Sequence, residues 1–329
     1  MRRFYYDTTT QTGNSVLVPL NSYDIGATIV LPDTVFHHWC RVLRAQIGDE
    51  AVLFDGFGGE YVCQLRTIQN KTASVTLNGF DAKDHAPKVQ TLVAMVMSRG
   101  DRMDYAIQKA TELGVTAIQL LTSQHGEVHL KAAQIPKKLL HWQQVALAAC
   151  EQCGLNRPPL ILAPVSINDW LTNNTLQQTS ERQPSAIDSH QVSDMIAPLL
   201  ADSYYQAINA LPQLRLLLAV PKALSTLSAT VEGFNSSDQD RQLNEQPSIN
   251  LCHPQNQPLL WQHIQKVCQT SAAYIQLLIG PEGGFSQEEH ELAVATGFLP
   301  WQLGERVLRA ETAPVVALAT LHSLSMISC

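Results

Sequence analysis

Residues 274–297 read YIQLLIGPEGGFSQEEHELAVATG, and this stretch decides the fold. Tyr274–Ile279 is an apolar run of strand length, and Gly280-Pro281-Glu282-Gly283-Gly284 breaks it. Ser286 and Glu289 then form an S-x-x-E capping box, which predicts a helix opening at Ser286. A strand that passes through a loop into a helix is the repeating unit of a layered α/β domain. Three glycines are more than such a turn needs. Bare backbone lets a ligand approach closely and offers amide N–H donors, so a ligand loop is one reading and a plain turn the other. No Gly-Lys-Ser/Thr follows and the G-x-G-x-x-G spacing is absent, which excludes the common phosphate and dinucleotide loops.

The pattern repeats on either side. Thr91–Met97, Val115–Leu121, Leu160–Ala163 and Arg215–Val220 are further buried-strand runs, and Asp101–Leu113 and Pro136–Cys153 have helical periodicity. Strands alternating with helices predict a mainly parallel sheet with helices on both faces, and ligands at the carboxyl ends of its strands. Residues 1–80 read differently. Ala27–Leu31, Glu50–Phe54, Tyr61–Ile68 and Ala73–Leu77 are short strand candidates between turn signals, with a helix from Thr34 to about Leu43. Close-spaced strands suggest a small barrel. The polar segment Asp81–Lys88 reads as a linker, giving a first domain over 1–84 and a second over 85–329.

Composition bounds the answer. The chain has 329 residues, 45% hydrophobic, with 22 basic and 29 acidic side chains and a net charge of −7. Two domains with working cores fit that length, and global disorder does not fit that apolar fraction. No apolar run approaches membrane-span length and the amino terminus lacks a signal-peptide core, which predicts a soluble, cytoplasmic chain without a membrane partner. The acid is unevenly spread: residues 172–258 hold four basic and eight acidic side chains. Within them, 172–213 and 228–257 are rich in Asn, Gln, Ser and Asp and read as polar insertions around the strand near 215–220. Mild acidity argues against indiscriminate nucleic-acid coating but permits a selective RNA enzyme. The seven cysteines predict reduced thiols. Cys150-x-x-Cys153 reads better as a helix end stopped by Gly154 than as a redox or zinc pair, and no metal is expected.

Two more stretches carry candidate chemistry. Leu303–Leu324 opens with Gly304, presents Glu305, Arg306, Arg309 and Glu311, and continues into an apolar helix over Val315–Leu324 that should be buried. Either a ligand loop or solvated ion pairs would account for the charges. In Met97–Glu112, Arg99 and Arg102 flank a glycine at a strand-to-helix turn, with Lys109 two helical turns on. A phosphate site and ordinary surface charge are equal readings there.

MSRGDRMDYAIQKATELGV, AACEQCGLNRPP, IGPEGGFSQEE and LGERVLRAETA, in that order, resemble the RsmE family of 16S ribosomal RNA uridine-N3 methyltransferases in the SPOUT superfamily. RVLRAQIGD followed by LFDG is similar to the family's small PUA-like RNA-binding barrel. The resemblance spans about 1–171, 214–227 and 259–329. It implies a trefoil-knotted α/β domain binding S-adenosyl-L-methionine, and a homodimer acting on 16S ribosomal RNA of the small ribosomal subunit. The implied cofactor loops are Leu218, Ala219, Val220 and Lys222; Ile279, Gly280, Pro281, Glu282, Gly283 and Gly284; and Leu303, Gly304, Arg306, Val307 and Leu308. Ser123-Gln124-His125 departs from the family by standing where Ser-Glu-Arg is expected.

The resulting expectation is an enzyme that aligns a sulfonium methyl with N3 of a splayed uracil. The proton on N3 must leave, so a base or an anion-stabilising cation is needed. Arg309 is expected to stabilise the anion and Glu311 to orient it or accept the proton; a purely structural ion pair is the competing account. Arg41, Arg44, Arg99, Arg102 and Lys109 are the expected RNA contacts. The alternative is a non-catalytic RNA-binding or ribosome-assembly protein, which the intact glycine and Leu303–Glu311 loops disfavour.

Overall fold

The computed structural model describes residues 1–9, 11–12, 15–176, 189–210, 212–218, 257–270 and 273–326. Two sheets organise them. The first contains β1 (Arg2–Tyr5), β2 (Thr28–Val30), β3 (Glu50–Phe54), β4 (Glu60–Ile68) and β5 (Ala73–Asp81), paired in the order β1-β3-β4-β5-β2. β3, β4 and β5 form an antiparallel meander, while β1 lies parallel to β3. Alternation along β4 and β5 buries Tyr61, Cys63, Leu65, Val75 and Leu77 against Phe4, Trp39 and Leu53. The helix expected from Thr34 is a single α turn, Asp33–Phe36, that widens into a π-type turn, His37–Val42.

The second sheet is built from β6 (Gln90–Val96), β7 (Ala117–Thr122), β8 (Leu160–Ser166), β9 (Leu214–Leu218), β10 (Tyr274–Ile279) and β11 (Leu299–Trp301). Its order is β8-β7-β6-β10-β9-β11, and every pairing is parallel. The late strand β10 therefore sits at the centre beside β6. Parallel strands need crossovers, and helices lie in them: α1 (Asp101–Glu112), α2 (Ile135–Cys153), α3 (Ile167–Leu176), α4 (Gln257–Cys268) and α5 (Gln287–Ala295), with α6 (Ala313–Met326) following the last strand. One apolar layer packs Met103, Ile107, Trp142, Ile264, Leu318 and Leu321 on one face of the sheet. A second layer packs Trp170, Leu171, Ala293 and Phe298 on the other. Helices on both faces explain why the strands are continuous apolar runs.

The expectation of a wholly polar insertion over 172–213 is corrected. Val192, Ile196, Leu199, Tyr205 and Ile208 are buried in the second apolar layer, and the Tyr205 hydroxyl donates to the Pro158 carbonyl at 2.8 Å. Their spacing follows no helical or strand period, because short turns carry them, and so composition alone reads as surface. Residues 177–188 and 219–256 lie outside the described residues. The end of the second expected insertion is also part of the folded domain: Gln257 opens α4 and donates to the Pro300 carbonyl at 2.8 Å.

The two sheets are tied together through residues between and beyond them. The Arg3 guanidinium pairs with Glu60 and donates to the Gly154 carbonyl at 3.1 Å. The Tyr5 N–H donates to Glu151 at 3.0 Å, and Asn156 bonds both Lys83 and His85 in the connecting segment. Gly154 ends α2 in the left-handed conformation (φ 93°), and Cys150 packs with Tyr5, Phe54 and Leu155. Burial pushes the Cys150 thiol well above its ordinary value, which makes it a packing residue rather than a thiolate.

Candidate functional site

At the carboxyl end of β10 the chain turns through Pro281–Gly284. The Gly284 N–H donates to the Pro281 carbonyl at 2.9 Å, and Gly284 has φ +74°, where an L side chain is strained. A Cβ on Gly280 would come within 3.1 Å of the Phe285 ring, whereas one on Gly284 or on Gly304 (φ +131°) would meet nothing within 4 Å. The turn hands over to α5 through the expected capping box: the Ser286 N–H donates to Glu289 Oε2 at 2.9 Å and the Glu289 N–H to Ser286 Oγ at 3.2 Å.

The Leu303–Glu311 loop lies between β11 and α6. Leu218, Leu303 and Leu308 all pack against the apolar layer containing Ile279, so the ends of β9, β10 and β11 share one support. Glu305, Arg306, Val307 and Arg309 are exposed, while Ala310 and Glu311 are buried. Arg309 reaches Glu311 Oε1 at 3.9 Å, with side-chain exposures of 76% and 12%. Glu311 is therefore a buried carboxylate and Arg309 an exposed cation beside it. Glu311 Oε2 has no hydrogen-bond partner among the described residues, and neither do the buried Ser98 Oγ, Ser123 Oγ and Trp301 Nε1. Ser98, Ser123 and Trp301 sit at or just past the carboxyl ends of β6, β7 and β11, and Glu311 two residues before α6; buried orphan polar atoms need a partner.

The basic turn joins this region. Arg102 pairs with Glu282 of the glycine loop at 3.0 Å, and Arg99 with Glu127 at 3.0 Å. Lys109 instead spends its charge on Glu112 of its own helix at 2.8 Å. In the first sheet's lobe, Arg41 donates to the Asn70 carbonyl and its guanidinium lies 5.3 Å from the Phe36 ring centroid. Arg44 is exposed at φ +58°, beside the exposed Val42 and Ile47. Ala219, Val220 and Lys222 lie outside the described residues. Clefts of about 520 and 740 Å³ open at the amino ends of the strands, beside Lys88, Gln90, Gln213 and Tyr274, where a parallel sheet presents no helix amino termini.

Two groups at the site escape sequence reasoning. His125 Nδ1 lies 3.1 Å from the Gly284 carbonyl, and the Gln124 N–H donates to Glu289 Oε1 at 2.8 Å. No local spacing could reveal contacts across some 160 residues of chain.

The loop suits S-adenosylmethionine: a side chain at Gly284 or Gly304 would meet nothing within 4 Å, so the glycines leave room for a ligand against backbone.

Comparison with known proteins agrees. An RNA methyltransferase domain matches residues 85–188 and 222–322, and an RNA methyltransferase PUA domain matches 31–78. Ribosomal RNA small subunit methyltransferase E of Synechocystis is 30% identical over 300 residues, covering 91% of this chain and 74% of that protein. The enzyme of the same name from Neisseria gonorrhoeae, solved bound to S-adenosyl methionine, is 25% identical with a TM-score of 0.64 over 98% of each chain. A putative methyltransferase from Legionella pneumophila, solved with bound cofactor, is 26% identical with a TM-score of 0.63, over 98% of this chain and 96% of that one. Matched to these relatives over nearly its whole length, the chain belongs to the RNA methyltransferase family of ribosomal RNA small subunit methyltransferase E.

Proposed function

We propose that this protein binds S-adenosyl-L-methionine at the Pro281–Gly284 and Leu303–Leu308 loops and methylates N3 of one uridine in 16S ribosomal RNA of the small ribosomal subunit. The observation that carries the reading is the meeting, at one end of the sheet, of an open glycine turn with a loop holding a buried, half-unpartnered Glu311 beside an exposed Arg309. Such a pair divides the work that N-methylation of uracil requires. Neutral uracil is a poor nucleophile at N3 until its proton leaves. The Arg309 guanidinium stabilises the anion as it develops. Glu311, held rigid by burial, orients Arg309 through Oε1 and accepts the proton through Oε2. When bound, the cofactor supplies an electrophilic methyl group. Ile279 and Gly280 to Gly284 hold it by close backbone approach, and Leu218 with Leu303, Gly304, Arg306, Val307 and Leu308 complete its walls; the family resemblance adds Ala219, Val220 and Lys222.

Arg102 pairs with the glycine loop and Arg99 with Glu127 after the Ser123–Gly126 turn, and Arg41 and Arg44 stand on the other lobe; together they would contact the RNA phosphates, while Lys109 contributes only through its turn of α1. The same reading takes the second sheet as a SPOUT trefoil knot, supported by the late strand β10 lying between β6 and β9, and the first as a PUA-like barrel. It divides the chain near residue 84. It makes the enzyme a cytoplasmic homodimer: α6 buries Ala317, Leu318 and Leu321 but leaves Val315, Val316 and Ala319 half-exposed, an apolar stripe suited to a second copy.

Calorimetric titration with S-adenosylhomocysteine tests the site. Gly283 is not in the left-handed region, and a Cβ there makes only a 3.4 Å contact with His125. Gly283→Val should therefore keep the fold and lose more than about tenfold in affinity, because its branched side chain takes ligand space. Unchanged affinity would remove the loop from the cofactor site.

A further inference from the structure

The turn Ser123–Gly126 leaves the carboxyl end of β7 and touches the glycine loop from outside. His125 Nδ1 lies 3.1 Å from the Gly284 carbonyl oxygen, and the His125 Cβ lies 3.4 Å from where a side chain on Gly283 would begin. A carbonyl only accepts, so Nδ1 must carry the proton in this contact, which selects one tautomer of the neutral ring. The turn is itself anchored. Glu289 is buried, and its two oxygens accept the Gln124 N–H at 2.8 Å and the Ser286 N–H at 2.9 Å. One buried carboxylate thus joins the turn after β7 to the first turn of α5, across the intervening strand β6. Hydrogen bonds to an ionised acceptor are the strong kind.

We propose that His125 is a positioning residue for the cofactor loop: it holds Gly283 and Gly284 in their binding geometry through the Gly284 carbonyl, and Glu289 delivers the His125 turn to that place. The proposal rests on the assignment of Pro281–Gly284 as a cofactor loop. Its physical basis is entropic. Consecutive glycines have the widest conformational freedom, and a loop ordered before the ligand arrives does not lose that freedom on binding.

Full-length wild type, His125→Ala and His125→Asn are titrated with S-adenosylhomocysteine, alongside their thermal unfolding. Asparagine places an amide N–H donor close to the position of Nδ1; alanine removes it. His125 is exposed, so neither change should move the unfolding midpoint appreciably. Loss of one hydrogen bond should weaken His125→Ala by about three- to tenfold, with His125→Asn within about twofold of wild type. Glu289→Gln keeps only one accepting oxygen and should also weaken binding. Combined with His125→Ala it should lose less than the product of the two single effects, because both act on one loop. Wild-type affinity in His125→Ala, an asparagine variant as weak as the alanine variant, or fully multiplicative losses would each overturn the proposal. Absence of binding by the wild type would instead overturn the loop assignment beneath it.

Discussion

Arg157 should be among the most costly single side chains to remove. Its side chain is 12% exposed, and it makes four contacts to three separate parts of the chain. The guanidinium pairs with Asp84 in the segment connecting the sheets, and bonds Asp202 at 3.0 Å and the Phe57 carbonyl at 3.2 Å. It also lies 4.7 Å from the ring centroid of Tyr204. Burial works against its charge, and the Asp84 and Asp202 carboxylates outweigh that and raise its pKa. Breaking a fully buried ion pair costs about 3–5 kcal/mol, because the partner is left charged and unpaired. Asp84 is 40% exposed and can turn to water, which discounts its share, while Asp202 at 18% cannot do so freely. Arg157→Ala should then lose about 2–4 kcal/mol. At about 2–4 °C per kcal/mol for a domain of 150–250 residues, the midpoint should fall by roughly 4–16 °C. Urea unfolding followed by tryptophan fluorescence measures the free-energy loss, and a thermal melt the midpoint. Arg157→Lys should recover less than half of the loss, since an ammonium cannot reproduce the fork. A loss below about 1 kcal/mol for alanine, or a lysine variant as stable as wild type, would refute the reasoning.

The remaining predictions concern titration and turnover. His290 is half-buried in α5 and its Nε2 has no hydrogen-bond partner among the described residues; burial lowers its pKa from the usual value near 6.5. An imidazole depressed on folding lets the unfolded chain take up the proton first, so stability is full above about pH 6.5 and declines as pH falls. His290→Leu should flatten that acid limb in urea midpoints collected between about pH 5 and 8, and an unchanged slope would contradict it. Arg309→Ala should bind S-adenosylhomocysteine within about twofold of wild type yet lose on the order of 10²–10³ in turnover on small ribosomal subunits. That loss should shrink as pH rises and uracil N3 ionises unaided; near-normal turnover, or a defect independent of pH, would exclude this role.

Much of the fold was legible because one physical signal dominates it. Strands buried on both faces read as continuous apolar runs, and β6, β7 and β10 stand where such runs stand. The capping box at Ser286 and the glycine stop at Gly154 are equally local, and both are present. Short elements were not legible. Arg2–Tyr5 and Leu299–Trp301 hold too few residues to establish a period, and both owe their strand form to a neighbour, β3 and β9 respectively. The segment 189–210 misled for a related reason: its buried side chains are thinly spaced among polar ones, and tertiary contacts with Pro158 and Arg157 decide their burial. The site followed the same division. Glycines and capping residues are marked along the chain, whereas the partners of Glu282, Gly284 and Glu289 come from turns after other strands.

The central claim is that the protein transfers a methyl group to N3 of uracil in 16S ribosomal RNA. Small ribosomal subunits from cells lacking 3-methyluridine are incubated with the protein and S-adenosylmethionine, and the rRNA is digested to nucleosides for mass spectrometry. The account predicts 3-methyluridine, approaching one per 16S molecule and mapping to a single position. Absence of methylated uridine from a protein that binds cofactor, or a methyl group on another base or another atom of uracil, would contradict it.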